Sequence, residues 1–110
     1  MDFSQIMRQA QEMQKKLVEA QEKYVGKEFK GISGGGKVSV LIEVIKIGSY
    51  KVKKINIDLE FMRNEEKDIV EDLVTAAFND AIKKAEADIT NATSDLASMM
   101  GLPSGFKLPF

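Results

Sequence analysis

The chain of 110 residues contains no cysteine and no histidine, and its net charge is −1. These absences exclude disulfides and thiolate metal sites, and they remove the usual general base and the commonest metal ligand. The length and a hydrophobic content of 44% predict a single domain over residues 1–110 with a modest core.

Charge is distributed unevenly between the two halves of the sequence. Residues 1–58 contain 11 Lys and Arg against 7 Asp and Glu, whereas residues 59–110 contain 5 against 10. This asymmetry indicates a polyanionic partner for one face, or two halves that neutralise each other in the fold. No apolar run approaches the roughly 18 residues of a membrane span, and no secretory signal is recognisable at the start. A cytoplasmic protein is therefore expected.

The first predicted element is a helix over about residues 3–25. Asp2 is placed to cap its start, and Gly26 supplies the permissive residue after its last turn. The helix is about 35 Å long at 1.5 Å per residue. Its apolar residues recur at alternating steps of three and four, the pattern of a coiled-coil seam. These seam residues are Phe3, Ile6, Ala10, Met13, Leu17, Ala20 and Tyr24.

Three strands are predicted next, over about residues 28–33, 37–47 and 50–59. Gly34-Gly35-Gly36 forms the turn between the first two, since glycine adopts positive φ freely. The second strand is apolar on both faces, and such a strand is usually covered on both. We expect a second copy of the chain to cover one of these faces. The dimer interface predicted in this way consists of Leu41, Ile45 and Ile47.

The last predicted element is a helix over about residues 65–100, capped by Asn64 and followed by an apolar tail at 102–110. Its first part has a broad apolar stripe, as expected for packing on a sheet. Its second part narrows to a seam like that of the first helix. At about 54 Å the helix is longer than the sheet requires, so its distal half should project. The seam residues are Phe78, Ile82, Ala85, Ile89, Ala92, Leu96 and Met99.

The two seams match each other as an antiparallel pair. Setting Tyr24 against Ala85 puts a large residue opposite an alanine in most of the layers that follow. Those layers are Ala20 with Ile89, Leu17 with Ala92, Met13 with Leu96, and Ala10 with Met99. The same register brings Lys23 near Asp88 and Lys16 near Asp95. Whether the paired helices belong to one chain or to two is left open. The predicted fold is α+β: an αβββα subunit with a three-stranded antiparallel sheet and long terminal helices projecting as arms.

Several segments resemble the YbaB/EbfC family. They are Val70–Ala81, Leu102–Phe110, the Gln- and Met-rich Met7–Lys16, and Ile55–Asp58. The resemblance covers nearly the whole chain. It implies a cytoplasmic, nucleoid-associated protein that binds DNA, built as a tweezer-shaped homodimer of αβββα subunits with helices projecting from a β core.

Basic residues along one edge of the first helix are the principal candidates for DNA contacts. A basic edge on a projecting helix can follow a phosphate backbone, although Glu12 and Glu19 stand four residues before two of the lysines, as on an ordinary solvated face. The basic residues are Arg8, Lys15, Lys16 and Lys23. Glutamines can donate to phosphates or base edges, and two lysines beside the second seam are weaker candidates. These are Gln5, Gln9, Lys83 and Lys84.

Lysines around the turn between the second and third strands form a second candidate anion surface. Lysines at a strand edge also prevent aggregation, and the two interpretations have equal weight. The residues are Lys46, Lys51, Lys53 and Lys54. Acidic residues of the last helix are spread over different faces and predict no metal site. For Asn79-Asp80, part of the family pattern, we expect a hydrogen bond from helix to sheet.

The sequence predicts no catalytic constellation, cofactor, metal or small-molecule substrate, so an enzyme is not expected. The leading hypothesis is a homodimer that binds duplex DNA with little sequence preference and influences nucleoid organisation or gene expression. The alternative is a prefoldin-like holdase or a coiled-coil interaction module without DNA binding. A holdase requires exposed apolar residues at the helix tips, for which Phe3, Met99 and Met100 are candidates.

Overall fold

The computed structural model of the protein describes residues 2–99, and side-chain environments as far as residue 95. The elements in chain order are α1 (Phe3–Glu22), β1 (Glu28–Ser33), β2 (Val38–Lys46), β3 (Ser49–Ile57), α2 (Leu59–Asn64) and α3 (Lys67–Met99). The predicted α+β fold, with a three-stranded antiparallel sheet between two long helices, is confirmed. The molecule is elongated, measuring 70 × 24 × 17 Å. The predicted tail at 102–110 lies outside the described residues.

The sheet has the strand order β1-β2-β3, and both strand pairs are antiparallel. Gly31 pairs with Val40, which in turn pairs with Ile55, so these three positions share one face of the sheet. The segment Gly34–Gly36 forms a single 3-10 turn between β1 and β2. All three of its glycines have positive φ, the region that a Cβ disfavours. The triplet therefore makes the turn that its composition predicts.

The core lies between one face of the sheet and α3. The inward residues of β2 are at most 1% exposed, and full burial of each such side chain stabilises the fold by about 1.5–3 kcal/mol. These residues are Val38, Val40, Ile42 and Val44. On α3 the buried residues above them include three alanines at helical spacing, Ala77, Ala81 and Ala85. Because Gly31 of β1 lies directly beneath Ala77 and Ala81, small residues on both sides bring α3 very close to β1.

The residues of the predicted dimer interface have different environments. Leu41 and Ile47 are half-buried within the single chain, and Ile45 is 48% exposed. On the helix-covered face, α3 lies over β1 and β2 and leaves part of β3 bare. Val52 and Ile55 of β3 point to that face but are 43% and 49% exposed. The apolar surface thus continues beyond the edge of the helix.

The beginning of the last helix differs from the prediction. Asn64 does not cap it but ends the separate short helix α2, and α3 begins at Lys67. The cause lies at Asp58, whose carboxylate accepts a hydrogen bond from the Phe61 N–H at 3.1 Å and so starts a helical turn directly after β3. Phe61 then packs against the core. As a result the third strand ends at Ile57, short of the predicted residue 59.

Candidate nucleic-acid interface

The four predicted basic contacts lie on α1 and its C-terminal cap. All four are exposed, and within the described part of the chain none has a carboxylate within 4 Å. At 100° per residue they span an arc of roughly 100° on one side of the helix. Two glutamates share that arc and reduce its net positive charge. We call Arg8, Lys15, Lys16 and Lys23 the basic edge; the glutamates are Glu12 and Glu19.

The opposite side of α1 faces α3. Its half-buried residues include the predicted seam positions Met13, Leu17, Ala20 and Tyr24. On α3 the matching positions are also withdrawn from solvent: Ala85 and Ile89 are buried, and Ala92 is half-buried. The two helices therefore meet within a single chain along the C-terminal half of the α1 seam, whereas the predicted seam residues Phe3, Ile6 and Ala10 are exposed. The basic edge is left facing solvent. The predicted layers that involve Leu96 and Met99 include side chains outside the described ones.

The chain direction makes this helix pair antiparallel. At one end of β1, the Ser33 hydroxyl donates to the carbonyl of Leu73, at 2.6 Å. Just before the other end, Lys27 binds Asp88, so β1 runs antiparallel along α3. The helix α1 precedes β1 and runs in the same direction as β1. It therefore lies antiparallel to the C-terminal half of α3. The helix orientation that the seams predict is thus present in the structure.

The base of α1 is held by four hydrogen bonds. The Tyr24 hydroxyl donates to the carbonyl of Asp88 at 3.0 Å, and Lys27 Nζ donates to Asp88 Oδ2 at 2.7 Å. In the backbone, the Gly26 N–H donates to the Val44 carbonyl at 2.8 Å and the Val44 N–H to the Lys27 carbonyl at 2.9 Å. Lys27 Nζ also lies 4.9 Å from the centre of the Tyr24 ring, within the range of a cation–π contact. We call Tyr24, Lys27 and Asp88 the arm clamp.

The arm clamp corrects one predicted ion pair. Asp88 is bound by Lys27 and not by the predicted Lys23, because the chain turns after α1 and brings the later lysine to α3. The hydrogen bond with Asp88 raises the pKa of Lys27 above its ordinary value. Burial, followed by the negative charge of Asp88, raises the pKa of Tyr24. Sequence reasoning missed Lys27 because a seam pattern gives no information on the path of the connecting turn.

A second pair of polar residues joins α3 to the outer edge of β1. Asp80 Oδ2 accepts a hydrogen bond from the Ile32 N–H at 3.0 Å, which is the helix-to-sheet bond expected for this residue. Lys84 donates to the Lys30 carbonyl at 3.2 Å and forms an ion pair with Asp80 at 3.0 Å. The bond from Ile32, followed by that from Lys84, lowers the pKa of Asp80. This edge of the sheet is therefore occupied by side chains, which discourages pairing with another strand.

The weaker candidates for DNA contacts on the two helices differ in how free their side chains are to reach DNA. Gln5 and Gln9 are exposed on α1, and Lys83 is exposed on α3. Lys84, in contrast, is engaged with Asp80 and with the backbone of β1. A DNA contact by Lys84 therefore has to compete with its structural bonds.

The second candidate anion surface lies at the β2–β3 hairpin. Its four lysines, Lys46, Lys51, Lys53 and Lys54, are all exposed. Carboxylates offset part of their charge, since Lys53 Nζ lies 3.4 Å from Glu28 Oε1 and Lys51 is paired across the strands with Glu43. Within the described residues, Lys53 is the one lysine of this surface with a carboxylate within 4 Å, and the basic edge of α1 has none.

Residues 2–99 contain neither a candidate metal site nor a candidate membrane span. No group of three or more acidic side chains there is arranged to hold a metal ion. None of the helices in that range combines the length and apolarity that crossing a membrane demands.

The chain is similar to known proteins over nearly its whole length. The model of the YbaB/EbfC DNA-binding family matches residues 1–100. A nucleoid-associated protein of Rickettsia bellii is 46% identical over 109 residues, covering 99% of this chain and 98% of that protein. One from Rickettsia prowazekii is 44% identical over the same coverage. Among solved structures, an uncharacterised protein of Helicobacter pylori aligns with a TM-score of 0.66 and 26% identity, over 87% of this chain and 97% of that one. The chain belongs to the YbaB/EbfC DNA-binding family.

Proposed function

We propose that this protein is a nucleoid-associated protein of the cytoplasm that binds duplex DNA as a homodimer with little sequence preference. The observation that carries the proposal is the basic edge, exposed along a helical arm whose opposite side is packed on α3. Such an edge can approach a phosphate backbone without any rearrangement of the fold. Family membership and the names of the relatives support DNA binding and association with the nucleoid. The function requires no catalysis, and we propose that the protein is not an enzyme.

Low sequence preference follows from the kind of side chain that the arm presents. Lysine and arginine on a solvated helix gain affinity chiefly by neutralising phosphates and releasing counterions. Phosphate contacts fix position and orientation but carry no direct sequence information. Gln5 and Gln9 extend the same surface with neutral donors. We therefore expect unrelated duplexes of equal length to bind with similar affinity.

Dimerisation is supported by an apolar patch on β3 and α2. Its four side chains are 43–59% exposed in the single chain. The two on β3 continue the core face beyond the part that α3 covers, and the other two follow on α2. We call Val52, Ile55, Leu59 and Met62 the β3–α2 patch. The outer edge of β1 is occupied by Asp80 and Lys84, so the β3 side is the more open one. We propose this patch as the main interface. The predicted interface residues Leu41 and Ile45 alternate with the buried Val40 and Val44 and therefore belong to the opposite face of the sheet, where they and Ile47 form the alternative interface.

A salt series separates this function from its rivals. Fluorescence anisotropy with two unrelated duplexes should give similar affinities that fall with salt, with a slope of log K against log salt of about −3.6 per chain for four phosphate contacts. Replacing all four residues of the basic edge by glutamine, a comparable helix former, should abolish binding while the circular dichroism spectrum stays unchanged.

The matched control removes four positive charges elsewhere in the molecule. The control variant replaces Lys46, Lys51, Lys54 and Arg63 by glutamine, so its net charge equals that of the basic-edge variant. Retained binding by the control places the DNA on the arm. Loss of binding in the control, with normal binding by the basic-edge variant, contradicts the proposal and transfers the site to the hairpin surface.

A holdase remains the second candidate because of the arm tip. Phe3 is 74% exposed, and Ile6 and Met7 are also exposed, as client binding requires. If the protein suppresses aggregation of an unfolded client and shifts no duplex in the anisotropy assay, the holdase is correct. Replacing these three residues by serine should then abolish the suppression, whereas DNA binding by the arm should tolerate the same change.

A further inference from the structure

The direction of α1 depends on a small number of contacts at its base. No residue of α1 is fully buried, and only its C-terminal half has half-buried positions along the seam with α3. The first ten residues of α1, residues 3–12, are all exposed. Just after α1, Tyr24 and Lys27 form side-chain hydrogen bonds to Asp88 of α3, and these bonds restrain the base of the arm.

A small rotation at the base of α1 produces a large displacement at its tip, so these contacts affect the position of the basic edge. A helix of 20 residues is about 30 Å long, so a rotation of about 10° at its base moves its tip by about 5 Å. That displacement exceeds the rise of about 3.4 Å between neighbouring phosphates of one DNA strand. Arg8, near the tip, then loses its register with phosphates even if Lys23, near the base, keeps its own.

We propose that Tyr24, Lys27 and Asp88 are positioning residues that orient the α1 arm for DNA, so that the carboxylate of Asp88 strengthens binding to a polyanion. The inference rests on the DNA-binding function proposed above. Asp88 acts through Lys27 and through its own carbonyl, which accepts the Tyr24 hydroxyl. Neither Asp88 nor Tyr24 has to touch DNA for this effect.

The sign of the effect distinguishes positioning from simple electrostatics. Asp88→Asn removes a negative charge from a protein that binds a polyanion, and charge alone therefore predicts tighter binding. Positioning predicts the opposite, since the bond that holds Lys27 is weakened. The charge-matched control is Asp95→Asn, seven residues further along the same helix. Asp95 is exposed and has no ion pair within the described residues.

The affinity experiment measures these variants against one duplex at fixed salt. Asp88→Asn should bind about fivefold more weakly than wild type, at the low end of couplings between separate sites, and Asp95→Asn should bind as tightly as wild type or more tightly. Tyr24→Phe changes no charge and should also weaken binding. The charge swap Lys27→Asp with Asp88→Lys keeps the net charge and should recover affinity relative to Asp88→Asn. Equal affinities of Asp88→Asn and Asp95→Asn overturn the inference.

A distance measurement tests the arm independently of DNA. Because the chain has no cysteine, Ser4→Cys and Asn91→Cys provide unique spin-label sites on α1 and α3; dilution with unlabelled chain isolates the distance within one subunit. The distribution should broaden in Asp88→Asn and Tyr24→Phe but not in Asp95→Asn. Unchanged distributions overturn the arm clamp itself. If wild type binds no duplex while the distributions broaden as expected, the clamp stands and the proposed DNA-binding function fails.

Discussion

Gly31 is the position where the packing of α3 on the sheet is most sensitive to substitution. The glycine is buried in β1 beneath α3. A Cβ added there would lie 2.9 Å from the Cβ of Ala81 and would overlap the Ala77 carbonyl oxygen and the Ala81 nitrogen. Its φ is not positive, so alanine fits the backbone conformation. The predicted cost of Gly31→Ala is therefore steric alone.

The expected cost is large because two of the three nearest atoms belong to the helix backbone. A flexible side chain can rotate away, but here the whole of α3 has to move off β1. Overpacking of a core costs about 1–3 kcal/mol and occasionally more; we expect about 3 kcal/mol, out of a total stability of about 5–15 kcal/mol. At about 4–8 °C per kcal/mol, Tm should fall by more than 10 °C. Ala81→Gly in the same chain should restore little, since the backbone clashes remain.

Thermal and urea unfolding followed by circular dichroism measure this cost. Gly35→Ala, in the turn after β1, is the matched control: its Cβ would meet nothing within 4 Å, but its φ is +64°. The control carries only the conformational penalty of a left-handed residue, about 1–2 kcal/mol. If Gly31→Ala destabilises the protein no more than Gly35→Ala does, the close approach of α3 to β1 is not real.

Two other predictions concern the dimer and the sheet edge. Ile55→Lys should shift the protein to the monomer in sedimentation or light scattering, because it charges the centre of the β3–α2 patch. Ile45→Lys, on the opposite face of the sheet, should weaken the dimer less. If Ile45→Lys weakens the dimer more than Ile55→Lys does, the interface lies on that opposite face. Asp80, with a lowered pKa, stabilises the fold above the ordinary carboxylate pKa of about 3.9, and this contribution is lost as the pH falls through its lower folded value. The difference in unfolding free energy between wild type and Asp80→Asn should therefore shrink below about pH 4; a difference independent of pH would mean that the bond to Ile32 does not form.

The elements that the sequence predicted correctly are those with a regular pattern. Alternation in β2 located the strand, and the seam spacing placed Leu17 and Ala20 on the side of α1 that faces α3. These predictions succeed because the period of a helix or strand is a local property, set by backbone geometry. The antiparallel relation of the helices followed as well, since short connections leave few alternatives.

The features that escaped prediction depend on the path of the chain between elements. The helical turn that Asp58 starts after β3 is decided by one side-chain hydrogen bond, and it interrupts a region that was predicted as strand and loop. The partner of Asp88 depends on where the turn after α1 places Lys27. Gly31 is similar: its sequence neighbourhood suggests an ordinary strand, and only the docking of α3 shows why no Cβ fits. Such contacts join residues that are far apart in sequence, which periodicity cannot relate.

A single helix connects the core to the arm. The alanines that fix α3 on the sheet end at Ala85, and Asp88, less than one helical turn later, holds the base of α1. Because α3 is continuous through this region, the packing of α3 in the core determines the position of the arm. The basic edge lies on α1, which contributes no buried residue of its own. The orientation of α1 therefore depends on its contacts with α3. A substitution such as Gly31→Ala, which lifts α3 from β1, should for that reason displace the arm as well as destabilise the fold.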